Sequence, residues 1–320
     1  MARRVATLGA WISVLLGTTT TVAPGHWGDR LWESLALIAN DHHCEHCRTS
    51  PTGGEDSAPH YHFGPSWRLK LRSVEIAMHE SGHFDELMKN GQIYQFGVGS
   101  GWTMGLLRRV FRKYVFVGFD SFEGLSEEAE GVTTHDKWQP GVFNYGDIRS
   151  GVEKQLGGPS KVRFVKGFFN TSLTPSLKPE MNLQPALYID MDVDLYISTI
   201  QALEFMFTSG LAQVGTLISY DDWWILPCWK NSTAVFELGA GRAHLEIAQK
   251  YGVRFKCVAG PCKYSPGGRW GRCSIYTGWG PVFAVVDIGA DHFDSGFSMT
   301  PLEISRWAST HDECYGTFEA

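Results

Sequence analysis

The chain has 320 residues, of which 43% are hydrophobic and 19% charged, and its formal net charge is −6. That length suits one large or two small domains with ample material for a core. The ordinary glycine, proline and aromatic content excludes collagen-like, coiled-coil and wholly disordered chains, and the mildly acidic balance gives no reason to expect a nucleic acid partner. No stretch has the ~18 consecutive apolar residues of a membrane span, so we expect a globular enzyme with no stable membrane span.

The first part of the chain, residues 1–66, is predicted to be an extension outside the main domain. Arg3 and Arg4 precede a short apolar run from Val5 to Gly17, an order typical of a secretory or organellar leader. No small-residue cleavage site follows it, and an ordinary helix of the extension is the alternative. A cytoplasmic location is favoured over targeting. Seven cysteines, an odd number in a chain of this length, do not indicate a disulfide framework.

From residue 67 to residue 290, short β-rich runs alternate with helical patterns. The predicted strands are 93–98, 115–120, 162–165, 186–190, 216–220, 253–258, 273–277 and 282–287. The predicted helices, which repeat apolar residues on one face, are 104–111, 198–211 and 243–251. This alternation predicts an α/β domain with a doubly wound, mainly parallel sheet. The last two strands, joined by a short Gly-Trp-Gly link, predict a hairpin with one antiparallel strand at the edge. Residues 291–320 are predicted to be a polar tail with one short helix.

A glycine-rich turn follows the first predicted strand in the order Ile93-Tyr-Gln-Phe-Gly97-Val-Gly99-Ser-Gly101. Such a turn at the carboxyl end of a strand lets the backbone approach a ligand closely. The dinucleotide fingerprint G-x-G-x-x-G would need a glycine where this chain has Trp102, which disfavours a nicotinamide oxidoreductase. The G-x-G-x-G spacing is instead the form common in adenosylmethionine-dependent methyltransferases.

The acidic residue at the end of the second predicted strand supports this interpretation. Asp120 lies 19 residues after Gly101, close to the ~20-residue spacing at which an acidic side chain hydrogen-bonds ribose hydroxyls. A helix or turn cap is the alternative role. A second glycine string, Gly239-Ala-Gly241, looks similar, but no acidic residue near position 260 ends a following strand. The turn at 97–101 is therefore the predicted cofactor turn.

Further acidic residues follow two neighbouring predicted strands. Asp190, Asp192 and Asp194 run off the fourth strand, and Asp221 and Asp222 follow the fifth. Parallel strands deliver their carboxyl ends to one edge of a sheet, the edge that also holds the glycine turn. Converging carboxylates repel one another unless they are protonated, exposed or neutralised, and a hard divalent ion such as Mg²⁺ or Ca²⁺ neutralises them. Asp192, Asp221 and Asp222 are the predicted metal ligands, with Asp190 and Asp194 as alternatives for the first. Helix caps and solvated acids are the alternative interpretation.

In this order the motifs resemble the macrocin O-methyltransferase family of class I adenosylmethionine-dependent enzymes. The matching strings are Tyr94-Gln-Phe-Gly-Val-Gly-Ser-Gly, Gly118-Phe-Asp-Ser-Phe-Glu-Gly-Leu125, Val165-Lys-Gly-Phe-Phe169, Ile189-Asp-Met-Asp-Val-Asp-Leu-Tyr-Ile-Ser-Thr199 and Ser219-Tyr-Asp-Asp-Trp223. The resemblance covers roughly residues 70–290. It implies a Rossmann-like sheet that binds S-adenosylmethionine, Mg²⁺ or another divalent cation on the acids, and methylation of a hydroxyl on a small molecule that is sugar-like, a polyol or a phenol.

The resemblance also implies roles for individual residues. The implied cofactor contacts are Gln95, Gly97, Gly99, Gly101, Asp120, Ser121, Gly167, Phe168 and Asp192, and Asp192 is also a catalytic candidate. Gln95 departs from the family, which has glutamate at this position. His135 is the candidate base because histidine titrates near neutral pH, and a surface-loop histidine is the alternative. Trp223, Trp224 and Trp229 are candidates for the walls of the acceptor site, with core packing as the alternative.

Two other patterns have the residue types of metal sites. His79-Glu-Ser-Gly-His83 is an H-E-x-x-H string, typical of zinc hydrolases, but Gly82 weakens a helix there and the fold leaves no separate protease domain. The cluster from His42 to Cys47 lacks a second cysteine pair at zinc-finger spacing. A non-catalytic or metal-independent protein with the methyltransferase fold is a further alternative. The acceptor and the oligomeric state, monomer or homo-oligomer, are left open.

Overall fold

The computed structural model describes residues 85–259, 262 and 280–308, and its central feature is a seven-stranded sheet. The strands are β1 (Gln92–Phe96), β2 (Phe116–Asp120), β3 (Val162–Lys166), β4 (Ala186–Met191), β5 (Leu217–Tyr220), β6 (Arg254–Ala259) and β7 (Val282–Asp287). The helices are α1 (Asp85–Asn90), α2 (Trp102–Val110), α3 (Arg149–Leu156), α4 (Phe169–Ser172), α5 (Leu177–Glu180), α6 (Tyr196–Thr208), α7 (Ile225–Trp229), α8 (Gly239–Tyr251) and α9 (Pro301–Ala308), with a 3₁₀ turn at Val235–Glu237.

The order of the strands across the sheet is β3-β2-β1-β4-β5-β7-β6. The pairs within β3-β2-β1-β4-β5 are parallel, and β7 runs antiparallel to both β5 and β6. This confirms the predicted α/β fold class, a Rossmann-like doubly wound, mainly parallel sheet with an antiparallel strand at one end. The order reverses between β1 and β4, and in such sheets ligands bind beyond the carboxyl ends of the strands at that point.

The predicted hairpin of the last two strands is wrong. Both sides of β7 are occupied, because Phe283 pairs with Ile218 of β5 on one side and with Cys257 of β6 on the other. The other strand of the predicted hairpin, residues 273–277, lies outside the described residues. The sequence pattern identified the strand, but the preference for pairing neighbours in the chain gave it the wrong partner.

Buried side chains on both faces of the central strands explain why the sheet forms. All five residues of β1 and all six of β4 are buried, the pattern of a parallel strand covered on both sides. Tyr94 and Phe96 belong to one hydrophobic cluster, whereas Ile93 and Tyr188 belong to the other. The core therefore lies in two layers, one on each face of the sheet.

The helix boundaries decide between the two glycine strings. Helix α8 begins at Gly239 and is preceded by the 3₁₀ turn at Val235–Glu237 rather than by a strand. The string Gly239-Ala-Gly241 therefore forms the first turn of a helix, where a Cβ on Gly241 would lie 2.4 Å from the Val235 carbonyl oxygen. Of the two strings, the one at 97–101 has the strand–turn–helix arrangement.

The first half of the predicted tail packs on the domain. Met299 and Ile304, the latter on the short helix α9, are buried in the larger hydrophobic cluster, and Asp294 forms an isolated bridge with Arg254. The proposed domain limits, 1–66, 67–290 and 291–320, stay predictions. The extension, His79-Glu-Ser-Gly-His83 and the cluster at 42–47 lie outside the described residues. No helix in the described ranges has the length and apolar character needed to cross a bilayer.

Seven cysteines did not predict a disulfide framework, but individual disulfides are present. Cys257 on β6 is bonded to Cys262, with 6.1 Å between their Cα atoms. Cys228, on α7, is also disulfide-bonded. These bonds join a core already built by hydrophobic burial, since Cys262 itself belongs to the larger cluster.

Candidate cofactor and metal site

The glycine turn after β1 lies directly against the segment that carries the acids. Gly97, Gly99 and Gly101 have φ values of +82°, +51° and +78°, in the left-handed region that favours glycine. A Cβ on Gly97 would lie 1.6 Å from the backbone oxygen of Asp192, whose own N–H donates to the carbonyl of Phe96 at 3.0 Å. The absence of a side chain at Gly97 therefore lets the first and fourth strands meet at their carboxyl ends.

Asp120 holds the glycine turn in place. Its Oδ2 accepts hydrogen bonds from the backbone N–H groups of Val98 at 2.7 Å and Gly99 at 2.9 Å, and its Oδ1 accepts one from Phe122 at 2.6 Å. A carboxylate has about four lone-pair positions, so about one remains for a ribose hydroxyl. The cap interpretation describes what this side chain does in the structure, and the ribose contact stays a prediction.

The side chain of Gln95 hydrogen-bonds to the backbone of the glycine turn. The side chain is fully buried, and its Nε2 donates to the backbone oxygen of Gly97 at 3.0 Å. Its Oε1 has no hydrogen-bond partner within the part of the chain that the structure describes, and the residue does not line the cavity described below. The structure therefore places Gln95 behind the predicted cofactor turn and not in the cavity wall.

The residues after β2 and β3 form the adjoining wall. Ser121 donates from Oγ to the carbonyl of Gly124 at 2.7 Å and accepts from the N–H of Glu123 at 3.0 Å, which fixes the turn that follows β2. Gly167, with φ of +136°, donates to the Asp120 carbonyl at 2.9 Å. Phe168 precedes α4 and lines the cavity, so the implied cofactor contacts Gly167 and Phe168 lie on the side of the cavity where β2 and β3 end.

Three carboxylates converge where β4 and β5 end. Asp192, Asp221 and Asp222 each offer an oxygen, and these oxygens lie within 4.8 Å of one another. The Asp221 N–H donates to the carbonyl of Met191 at 2.9 Å, which joins the two strand ends. Asp190 lies two residues earlier, inside β4, and does not line the cavity. Of the alternatives left open by the sequence, the geometry favours Asp192 over Asp190.

Asp194 stands beside this trio in an uncommon backbone conformation. Its φ is +60°, and its N–H donates to Oδ2 of Asp222 at 2.9 Å. Burial raises the pKa of the Asp194 carboxyl well above its usual range, and the neighbouring carboxylates of Asp222 and Asp192 raise it further. The Asp194 backbone thus orients one ligand candidate, while its own carboxyl adds a fourth acidic group.

The acids are costly to keep ionised. Asp222 is only 8% exposed, and burial raises its pKa from 3.8 to about 6, although the hydrogen bond from Asp194 N–H lowers it somewhat. Like charges brought together in a poorly solvated place favour uptake of either a proton or a cation. Carboxylate oxygens are the ligands that Mg²⁺ and Ca²⁺ prefer.

Glu128 joins the long segment after β2 to the start of helix α6, which follows the acids at the end of β4. Its Oε2 accepts from the N–H of Tyr196 at 2.8 Å and its Oε1 from the N–H of Ile197 at 2.9 Å. These are two of the unpaired N–H groups at the start of α6, where a negative charge is favoured. Sequence reasoning missed this residue, because a cap supplied from 68 positions away leaves no local signal.

His135 lines the cavity and is nearly buried. Its ring lies 4.7 Å from that of Trp229 and 5.6 Å from that of Trp138, between centroids, and its Nδ1 accepts from the N–H of Lys137 at 3.1 Å. Burial lowers the pKa of His135, while Asp136 partly opposes that effect. The imidazole is therefore neutral at pH 7 and able to accept a proton.

Of the two interpretations of Trp223 and Trp224, the structure supports core packing and not the wall of the acceptor site. Trp223 is 1% exposed and packs against Tyr220 and Phe283 at ring-centroid distances of 5.1 and 5.4 Å, and neither tryptophan lines the cavity. Trp138 does line it, whereas Trp229 does not and contacts the His135 ring with an angle of 39° between the ring planes. Trp138 was identifiable only as a neighbour of His135 in the sequence.

One cavity joins these groups. It has a volume of about 1420 Å³ and is lined by Gly97, Gly99, Asp120, Ser121, Gly167, Phe168, His135, Trp138 and the acids at 192, 194, 221 and 222. Typical ligand pockets are about 300–1,000 Å³, so this volume exceeds what one drug-sized molecule fills. The arrangement has room for two small molecules side by side.

No protein-family model matches the sequence, and no curated protein matches it. Among solved structures, this chain is similar to CalS11, a calicheamicin methyltransferase, with 15% identity over 82% of this chain and 94% of that one and a TM-score of 0.44. It is also similar to the O-methyltransferase NovP, with 18% identity over 72% of this chain and 94% of NovP and a TM-score of 0.43. A third similar structure is the SAH-bound Podospora anserina methyltransferase PaMTH1. Its sequence identity is 10%, the match covers 89% of this chain and 99% of that one, and the TM-score is 0.36. All of these scores are low, and the function has to be inferred from the residues of the site.

Proposed function

We propose that this chain is an S-adenosylmethionine-dependent O-methyltransferase that uses a divalent cation and acts on a hydroxyl of a small molecule. The observation that supports this most directly is the contact between Gly97 and the backbone of Asp192. It brings a glycine-rich turn, suited to a cofactor, next to a trio of carboxylates, suited to a cation, in one cavity.

The cofactor fits the first part of this cavity. The glycine turn presents backbone without a Cβ, Asp120 retains acceptor capacity, and Phe168 offers an apolar face for a ring. Tyr145 lies near Gly99, its ring 3.6 Å from where a Cβ of Gly99 would be. The lining thus offers both apolar and polar groups to a nucleoside with a charged amino-acid tail.

The cation fits the second part. Three carboxylate oxygens within 4.8 Å of one another supply a hard oxygen donor set from two adjacent strand ends. The N–H of Asp194 fixes the Asp222 carboxylate, and the carbonyl of Met191 fixes the backbone of Asp221, so these contacts orient part of the donor set. Mg²⁺ is the cation that we assign to Asp192, Asp221 and Asp222.

The chain's own residues would then do three things. When bound, adenosylmethionine supplies an electrophilic methyl group, and the cation lowers the pKa of a nearby acceptor hydroxyl. His135 accepts the hydroxyl proton, since burial keeps the imidazole neutral near pH 7. The rings of Trp138 and Trp229 pack against the imidazole and hold it in place. The Gly97–Asp192 contact fixes donor and acceptor relative to each other, and alignment of this kind is worth up to ~7–11 kcal/mol in the best cases.

A methyl-transfer screen tests the proposal. Purified full-length protein, labelled S-adenosylmethionine and a panel of sugars, polyols and phenols are incubated with Mg²⁺ or with EDTA. We expect transfer that EDTA abolishes and that Asp221→Asn lowers by roughly 100-fold or more, because a cation contributes several kcal/mol. Asp291→Asn, an exposed aspartate outside the cavity, is the matched control and should leave the rate unchanged.

Calorimetric titration with S-adenosylmethionine separates the remaining alternatives. Absence of binding would favour a non-catalytic protein that retains the fold. Binding and turnover that are equal in EDTA and in Asp221→Asn would favour a metal-independent methyltransferase and would remove the cation from the proposal. The acceptor is identified by the panel member that gains the label.

A further inference from the structure

Two asparagines of the described residues stand in the pattern Asn-x-Ser/Thr that accepts N-linked oligosaccharides. They are Asn231, in Asn231-Ser-Thr233, and Asn170, in Asn170-Thr-Ser172. The pattern is a surface-loop signal in proteins of the secretory route. We propose that Asn231 is an N-glycosylation site and that this chain folds in an oxidising, glycosylating compartment, a location different from the cytoplasm that the sequence favours.

The backbone at Asn231 presents the side chain outward. The residue is exposed and follows the end of α7, with φ of +49°. Its N–H donates to the Cys228 carbonyl at 3.0 Å, and the N–H of Ser232 donates to the Pro227 carbonyl at 2.9 Å. Asn231 is therefore the turn residue that closes a helix, a position at which a bulky substituent projects into solvent without displacing packed groups.

The disulfides are an independent sign of the compartment. Cys257 is bonded to Cys262, and Cys228, three residues before Asn231, is disulfide-bonded as well. Stable disulfides are typical of secreted, lumenal and periplasmic proteins and are rare in the cytosol. The alternative that the sequence leaves open, a leader formed by Arg3, Arg4 and the apolar run after them, agrees with such a compartment. The disulfides therefore indicate an oxidising compartment, which is the condition that the proposed glycosylation requires.

The cavity explains why the assignment falls on Asn231 and not on Asn170. Asn170 lies within α4 and lines the cavity. The third residue of its motif, Ser172, uses its hydroxyl to donate to the Gly167 carbonyl at 3.2 Å. An oligosaccharide at Asn170 would stand at the rim of the site, whereas Asn231 is not among the cavity residues.

The modification is a group transfer without redox change. The Asn231 side-chain nitrogen, Nδ2, attacks the anomeric carbon of an oligosaccharide carried on a lipid diphosphate. The new bond joins nitrogen to that carbon as the bond from carbon to the diphosphate oxygen breaks. The lipid diphosphate departs with the electron pair, and the amide proton passes to a base of the transferring enzyme.

Cell-free translation of the full chain with and without microsomes tests the proposal. We expect a microsome-dependent gain of one core oligosaccharide that peptide N-glycosidase removes. Asn231→Gln and Thr233→Val should abolish the gain, whereas Thr233→Ser, which keeps the hydroxyl, and Asn170→Gln should retain it.

Each other result overturns the assignment. A gain lost in Asn170→Gln and kept in Asn231→Gln would move the site to the cavity rim. A full chain that gains no mass, whether it stays outside the microsomes or enters them unmodified, would overturn both the site and the compartment. Methyl transfer is not part of the readout, so failure of the proposed function leaves this result unaffected.

Discussion

Gly97 is the position at which the proposed joint site for cofactor and cation can be tested by adding one carbon atom. In Gly97→Ala the new Cβ would lie 1.6 Å from the Asp192 carbonyl oxygen. Gly131→Ala is the matched control, because its φ of +74° is close to the +82° of Gly97, while a Cβ at position 131 would meet no atom of the described residues within 4 Å. The two variants share the backbone strain and differ in the contact with the acid segment.

The magnitude follows from these distances. A left-handed conformation costs an alanine about 1–2 kcal/mol, and this is the whole cost expected for Gly131→Ala. In Gly97→Ala the Asp192 carbonyl must retreat by about 2 Å to reach ordinary contact, and overpacking of this kind adds about 1–3 kcal/mol. We expect the free energy of unfolding to fall by about 2–5 kcal/mol for Gly97→Ala.

Urea denaturation measures the stability difference, and calorimetry and methyl transfer measure its effect on the site. Displacement of reacting groups by about 1 Å can cost roughly 100-fold in rate, so Gly97→Ala protein that is folded at low temperature should lose at least that much. Gly131→Ala should keep its affinity for S-adenosylmethionine and its turnover. Equal stability and equal affinity in the two variants would refute the reasoning that the turn and the acids are in contact.

Three further predictions concern stability. Glu128→Gln should lower the free energy of unfolding by about 1 kcal/mol in urea denaturation, because the charge at the start of α6 is lost, and an unchanged midpoint would contradict the cap. Burial lowers the pKa of His244 from 6.5 to about 4. Between these two pH values the imidazole is protonated in the unfolded chain and neutral in the folded chain. The free energy of unfolding should therefore fall by up to about 3 kcal/mol between pH 6.5 and pH 4 because of His244, while Asp222, whose pKa is raised, contributes in the opposite direction. The variant His244→Phe should lack this loss. Parallel pH profiles of stability for the two proteins would contradict the prediction. Replacing Cys257 and Cys262 by alanine should cost about 2 kcal/mol through the five-residue loop that the disulfide closes, and an unchanged thermal midpoint under non-reducing conditions would contradict that estimate.

The parts of the fold that could be predicted are those governed by one rule applied along the chain. Apolar runs located β1 and β4 because both strands are buried throughout. The rule that parallel strands end at one edge then brought Asp120, Asp192 and Asp221 into one region without knowledge of any contact. The position of a residue at the end of a strand can be predicted from local sequence, and in a parallel sheet the ends of neighbouring strands lie close together.

The parts that could not be predicted depend on partners distant in sequence. The sequence around Val282–Asp287 identifies a strand, but its insertion between β5 and β6 depends on packing against both. Trp223 and Trp138 are both tryptophans with polar neighbours in the sequence. Only the folded chain shows that Trp223 lies in the core and Trp138 in the cavity wall. The cap by Glu128 and the support of the turn by Gln95 are likewise tertiary contacts.

The adjacency of methyl donor and cation is tested most directly by a paramagnetic measurement. S-adenosylmethionine with a ¹³C-labelled methyl group is bound to the full-length protein, and Mn²⁺ is added as a substitute for Mg²⁺. Because paramagnetic relaxation falls with the sixth power of distance, we predict a steep rise in the methyl relaxation rate that disappears when Asp221 and Asp222 are both changed to asparagine. Protein that binds both the cofactor and Mn²⁺ while the methyl relaxation stays unchanged would contradict the proposed site.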